Sequence, residues 1–141
     1  MKVIPADDPV RLSSSPGEMS ADVYRRAGVL YESQGNTQVA IEHYQRALAL
    51  EPEDTDTLVA FARLRDRQGQ FEEAVALYQK ATQADPQSAL VLNDLALCLA
   101  RRGDPQQAAA ALEHAVKLQP SSVLYRNNIA TVLVKLKRPD E

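Results

Sequence analysis

Two histidines, His43 and His114, and one cysteine, Cys98, are the side chains in this 141-residue chain best suited to proton transfer, nucleophilic attack or zinc ligation at neutral pH. Their spacing supports none of these. Each histidine has only an adjacent glutamate (Glu42, Glu113) and no second metal-type ligand at helical spacing. No His-Glu-x-x-His, Gly-rich phosphate loop or Gly-x-Ser-x-Gly elbow occurs. Both histidines are read as solvated helix positions. A lone cysteine excludes an internal disulfide framework and a cysteine-based zinc site. The carboxylate pairs Glu53-Asp54 and Glu72-Glu73 fall at expected helix starts, where the helix dipole stabilises negative charge without any acid–base role. The expectation is a chain without catalytic residues, metal or cofactor, and not an enzyme.

The elements that carry these residues are set by a period. Pro52, Pro86 and Pro120 lie 34 residues apart (86−52, 120−86). The same interval aligns Gly35, Gly69 and Gly103; Ala40, Ala74 and Ala108; Tyr44, Tyr78 and Leu112; and Ala47, Ala81 and Ala115. Upstream, Gly28, Ala62, Ala96 and Ala130 align, as do Tyr24, Leu58, Leu92 and Arg126, and Tyr31, Arg65, Leu99 and Leu133. Arg65 and Arg126 alone break the apolar pattern. A fixed period of this length marks units that bury their apolar faces by stacking on neighbours.

Within a unit the apolar positions recur at three and four residues, so each unit reads as two amphipathic helices. The glycines stand where the first helix must stop in a positive-φ residue. The second helix ends before the proline, which lacks the N–H a helix interior needs. Asp104-Pro105 reads as an N-cap followed by proline at the first helical position. Cys98 shares a column with Leu30, Leu64 and Val132, so a buried, inert thiol is expected.

These columns resemble the tetratricopeptide repeat family, whose large residue, Leu-Gly/Ala pair, Tyr, Ala, Phe/Tyr, Ala and Pro pattern the chain follows from about Ser20 to Arg138. The resemblance implies an all-α fold, a right-handed superhelical solenoid of helical hairpins with about seven helices. The expected organisation is a flexible leader or linker over 1–18 and a repeat domain over 19–138. That domain would hold repeats 21–54, 55–88 and 89–122 and a partial fourth repeat 123–138, with 139–141 as a tail. Arg138-Pro139-Asp140-Glu141 looks like the opening of a further second helix, and Lys137 stands where earlier repeats carry glycine. Either the last helix caps the array, or the chain is a segment of a longer repeat protein. The second reading leaves Ile129, Val132, Leu133 and Leu136 as an interface for a second copy.

Composition narrows the partners. A net charge of −3 argues against nucleic acid, whose phosphates need a basic surface. No run of 18 apolar residues would span a membrane, and the first nine residues lack a secretory apolar core, so a cytoplasmic location is the default unless the chain is a fragment of a longer exported protein. The resemblance implies protein binding on a concave face lined by the first helices. Projected onto that face are Arg25 and Val29, then Arg63 and Arg67, then Leu90, Asn93, Leu97 and Arg101, then Leu124, Asn127, Asn128, Thr131 and Lys135. The asparagines could hold a ligand's backbone amides, or be merely solvated. Arg67, Arg101 and Lys135 form a column that could attract an acidic partner, or simply offset helix dipoles. Relatives that clamp a chaperone's C-terminal carboxylate use lysines, asparagines and an arginine at positions where this chain has Arg25, Val29, Ala60, Leu90 and Asp94. Only Arg25 fits, so no such clamp is expected. A peptide-binding adaptor, a self-assembling scaffold and the targeting arm of a larger protein are the functions left open.

Overall fold

The computed structural model describes residues 19–137, which form seven α-helices and no strand. They are α1 Ala21–Ser33, α2 Thr37–Leu50, α3 Thr55–Arg67, α4 Phe71–Ala84, α5 Ala89–Arg102, α6 Pro105–Leu118 and α7 Val123–Lys137. The expected leader over 1–18 and tail over 139–141 lie outside the described residues. Gly35, Gly69 and Gly103 have φ of 80°, 75° and 94°, so the turn between paired helices sits in the left-handed region the glycine column called for. At the fourth place of that column Lys137 still belongs to α7. The helix runs on where a glycine would have ended it. The prolines of the 34-residue series each fall two residues beyond α2, α4 and α6.

The chain divides into two compact units, with the boundary between Thr57 and Leu58. In the first, the Ser20 hydroxyl accepts from the Val23 amide (3.3 Å) and caps α1. Tyr24, Ala40, Ile41, Tyr44 and Ala47 form its interior. α1 and α2 approach so closely that a Cβ on Gly28 would lie 2.6 Å from Cε1 of Tyr44. The Tyr44 hydroxyl then donates to Glu32 (2.7 Å), which satisfies a polar atom carried into the interior. Asp54 accepts from both the amide (3.1 Å) and the hydroxyl of the fully buried Thr57.

In the second unit Ser88 caps α5 (3.3 Å to the Val91 amide), and Asp104 caps α6 with Pro105 at its first position. The core is built from the aligned columns: Leu58, Phe61, Ala62, Ala74, Tyr78, Ala81, Leu92, Leu95, Ala96, Leu99, Ala108, Leu112 and Ala115 are all buried. Ala89, Leu92, Ala115 and Tyr125 form a cluster joining α5, α6 and α7. Arg65, a break in the apolar pattern, lays its guanidinium 5.4 Å from the centre of the Phe61 ring and reaches Glu73 at 2.9 Å. Its stem takes the place of the missing apolar side chain.

Candidate interaction face

The groups that could do chemistry are accounted for by packing. Cys98 is fully buried, with Sγ 4.0 Å from the Phe71 carbonyl. Burial, with Asp66 adding to it, pushes its thiol up to about 11. Because the folded value is raised, the stability tied to the neutral thiol is intact below the ordinary thiol range near ~8.5 and is lost as pH rises through about 11. Burial raises the Tyr78 hydroxyl too, so both groups act in the same direction. We expect the thermal midpoint to fall progressively above about pH 9, and Cys98 to react with a thiol reagent only as fast as the chain unfolds. Rapid labelling of the folded chain at pH 7 would refute this placement.

His43 differs from its expected place. It is half-buried, not solvated: its ring lies 5.1 Å from Tyr31 and 5.9 Å from Tyr24, and Nδ1 is 2.9 Å from the Val39 carbonyl. Tyrosines at the aligned places of α1 extend far enough to cover it. His114 is exposed as expected. Glu72 and Glu73 occupy the first turn of α4, as their dipole reading requires, and pair with Arg102 (3.2 Å) and Arg65. Among the described residues no group of three or more His, Cys, Asp or Glu side chains could hold a metal ion.

The first helices supply the face. In the first unit Arg25 is bound to Asp22 at 2.6 Å and Val29 is exposed. In the second unit α3, α5 and α7 are linked by three polar rungs. Arg63 donates through Nε and Nη2 to Asp94 (3.0 and 2.7 Å). Arg101 forms a two-point pair with Asp66, with Nε at 3.0 Å from Oδ1. Asn128 donates through Nδ2 to Oδ1 of Asn93 (2.8 Å).

These rungs correct part of the projected lining. Asn93 is only 4% exposed, and its side-chain carbonyl already accepts from Asn128. It holds the neighbouring helix and is not open to a ligand's backbone. Arg63 and Arg101 are not unmatched charges, because a carboxylate from the next or the preceding first helix neutralises each. Arg67 and Lys135 are exposed, Leu97 and Asn128 are half-buried, and Asn127 and Thr131 are exposed, with the Thr131 hydroxyl donating to the Asn127 carbonyl (3.0 Å). Leu90 and Leu124, one period apart, are 50% and 57% exposed.

The suggested interface on α7 is also revised. Val132 is 4% exposed and belongs to the core, like Leu64 and Cys98 in its column. Ile129 and Leu136 are half-buried, and Leu133 is exposed, with Val134 beside it. Leu30, the first member of that column, is exposed, having no earlier hairpin among the described residues to pack on.

Comparison with known proteins agrees with this geometry. One tetratricopeptide repeat family model matches residues 59–123 and 100–141, and a second matches 21–87. Among solved structures, the first repeat domain of Spaghetti (RPAP3) bound to the HSP90 peptide SRMEEVD superposes with a TM-score of 0.77 at 18% identity, covering 84% of this chain and 94% of that one. YrrB, described as having an unusual peptide-binding site, gives 0.71 at 22% identity over 79% of this chain and 57% of its own. A MamA protein gives 0.76 at 21% identity, covering 82% and 63%. A curated relative, the probable biofilm formation methyltransferase WspC of Pseudomonas putida, is 44% identical over 45 residues, 32% of this chain and 11% of that protein. With its 34-residue columns, glycine turns, three helical hairpins and a seventh helix, the chain belongs to the tetratricopeptide repeat family.

Proposed function

We propose that the chain is a non-enzymatic interaction module that takes a segment of a partner protein on the face formed by α3, α5 and α7. One observation carries this reading. Leu90 and Leu124 stay half exposed in register on α5 and α7, while Leu92, Leu95, Leu99, Tyr125 and Val132 of the same helices are buried. Apolar side chains left in water at one repeated position suit a ligand's side chains. Asn127 and Thr131 offer polar groups beside them. The HSP90 peptide named for the Spaghetti structure and the peptide-binding site named for YrrB belong to those proteins and support the class of ligand only.

The matched guanidiniums weaken the case for an acidic tail as the main determinant. Asp94, sitting where a carboxylate clamp would need a cation, is matched by Arg63 and leaves a terminal carboxylate without a positive partner there. The peptide SRMEEVD is therefore expected to give no calorimetric signal at concentrations that saturate a clamp. A ligand found by screening peptides should weaken at least tenfold with Leu90→Asp and Leu124→Asp together, at unchanged molar mass and thermal midpoint. Unchanged affinity in that double variant would remove the face from consideration.

Self-assembly through α7 is the second reading, favoured by the exposure of Val123, Leu133 and Val134. α7 carries Arg126, Lys135 and Lys137 and no carboxylate, so two copies meeting α7 to α7 would bring like charges together. Light scattering across a concentration series decides it: growth of molar mass that Leu133→Glu abolishes would favour assembly over the partner reading.

A further inference from the structure

The ionic rungs between first helices keep a register, and at one place the register loses its acid. Asp66 and Arg101, 35 residues apart, form the two-point pair between α3 and α5. One repeat on, the same two places hold Ala100 and Lys135. The acid column thus runs Glu32, Asp66 and Ala100, while the cation column runs Arg67, Arg101 and Lys135. The carboxylate that the register assigns to Lys135 belongs on α5, and alanine stands there. α7 itself carries no carboxylate, and Lys135 is exposed and makes no ion pair among the described residues.

Lys135 also shares a side of α7 with the proposed face. Leu124, Asn128, Thr131 and Lys135 follow at intervals of four, three and four residues, so they form one stripe along the helix. Its two ends, Leu124 and Lys135, are 11 residues and about 16 Å apart along the axis. Between them the surface is neutral, with Asn127 and Thr131 exposed. At the Leu124 end the exposed Leu90 of α5 adds a second apolar side chain. Charge over the whole unit favours the same kind of ligand. Residues 58–137 hold ten Lys and Arg against seven Asp and Glu, whereas residues 19–57 hold three against seven. An anionic group is drawn to the second unit and not to the first.

Given the partner reading above, on which this rests, we propose that the segment bound on the face carries an internal Asp or Glu whose carboxylate meets Lys135 as Asp66 meets Arg101. Apolar side chains of the same segment lie on Leu90 and Leu124. An extended chain rises about 3.3 Å per residue, so about five residues separate its apolar and acidic anchors. Unlike a terminal-carboxylate clamp, the site needs one side-chain anion at a fixed distance from an apolar pair.

The probe is the peptide Leu-Leu-Ser-Thr-Ser-Ser-Glu, acetylated and amidated so that the Glu side chain is its only charge, together with the same peptide in reverse order. Each is titrated at low salt into the 15N-labelled 141-residue chain and followed by NMR. Saturable shifts are expected for at least one order, weakened about two- to fivefold when its Glu is replaced by Gln, the range of one exposed ion pair. Salt should erase that difference. Lys135→Gln should erase it too, whereas Lys137→Gln, the same loss of charge on the opposite side of α7, should not. Ala100→Asp returns a carboxylate to the register. The Glu peptide should then bind no better than the Gln peptide, whose own affinity should hold. Equal affinity of the Glu and Gln peptides for the unaltered chain, both lost with Leu90→Asp and Leu124→Asp together, would overturn the acidic anchor and leave the face standing. Binding indifferent to that double variant would overturn both. No saturable shift from either order would overturn this ligand chemistry, and the face would then stand or fall by peptides found in screening.

Discussion

Gly28→Ala is expected to destabilise the first unit by about 1–3 kcal/mol, the usual penalty for forcing an extra carbon into a packed interior. The added Cβ would lie 2.6 and 2.7 Å from two ring carbons of Tyr44, and that ring is fully buried, with its hydroxyl held by Glu32. It has little room to retreat. Gly28→Leu should prevent α1 and α2 from pairing at all. Urea denaturation followed by circular dichroism would measure the first and show early loss of helix for the second. The third hairpin carries Ala96 and Leu112 at the same two places, both fully buried. Gly28→Ala with Tyr44→Leu should therefore recover part of the loss. If Gly28→Ala alone proves neutral, the close approach of α1 and α2 is wrong.

Tyr78→Ala should cost more, about 3–5 kcal/mol, the range for deleting a large buried ring. Tyr78 is 1% exposed. Its hydroxyl lies in the field of Asp94, Asp66 and Arg63, the charges of two rungs, while its ring fills the core. Tyr78→Phe keeps the ring and should cost only about 0.5–1.5 kcal/mol, the net worth of a typical hydrogen bond. It should also flatten the alkaline loss of stability, since one of the raised groups is gone. Equal costs for the two substitutions would mean that the hydroxyl, not the ring volume, dominates at this site.

What the sequence conveyed well was whatever repeats. Glycine at 35, 69 and 103 foretold three left-handed residues, and the column of Cys98 foretold a buried thiol, because both depend on position within a unit. The rungs between repeats could not be foretold that way. They join residues 31 or 35 positions apart, not 34, an offset set by how neighbouring first helices lie against one another. Asn93 therefore looked available and is not. His43 looked solvated because its own helix leaves it outward, whereas Tyr24 and Tyr31 reach over it from α1. Arg65 looked like an error in the pattern until Phe61 and Glu73 gave it a place.

The rungs also bear on how such a chain can change over generations. Each is shared between one repeat and the next, so losing Asp66 strands a cation that belongs to another repeat, Arg101. Duplicating, deleting or exchanging the repeat at 89–122 would break rungs at both of its borders. The permitted steps are paired ones, in which Asp66 and Arg101, Arg63 and Asp94, or Asn93 and Asn128 are altered together. In descendants of this chain those pairs should be inherited as couples, while Leu90 and Leu124, tied to no neighbour by such a rung, are free to drift singly toward a new ligand.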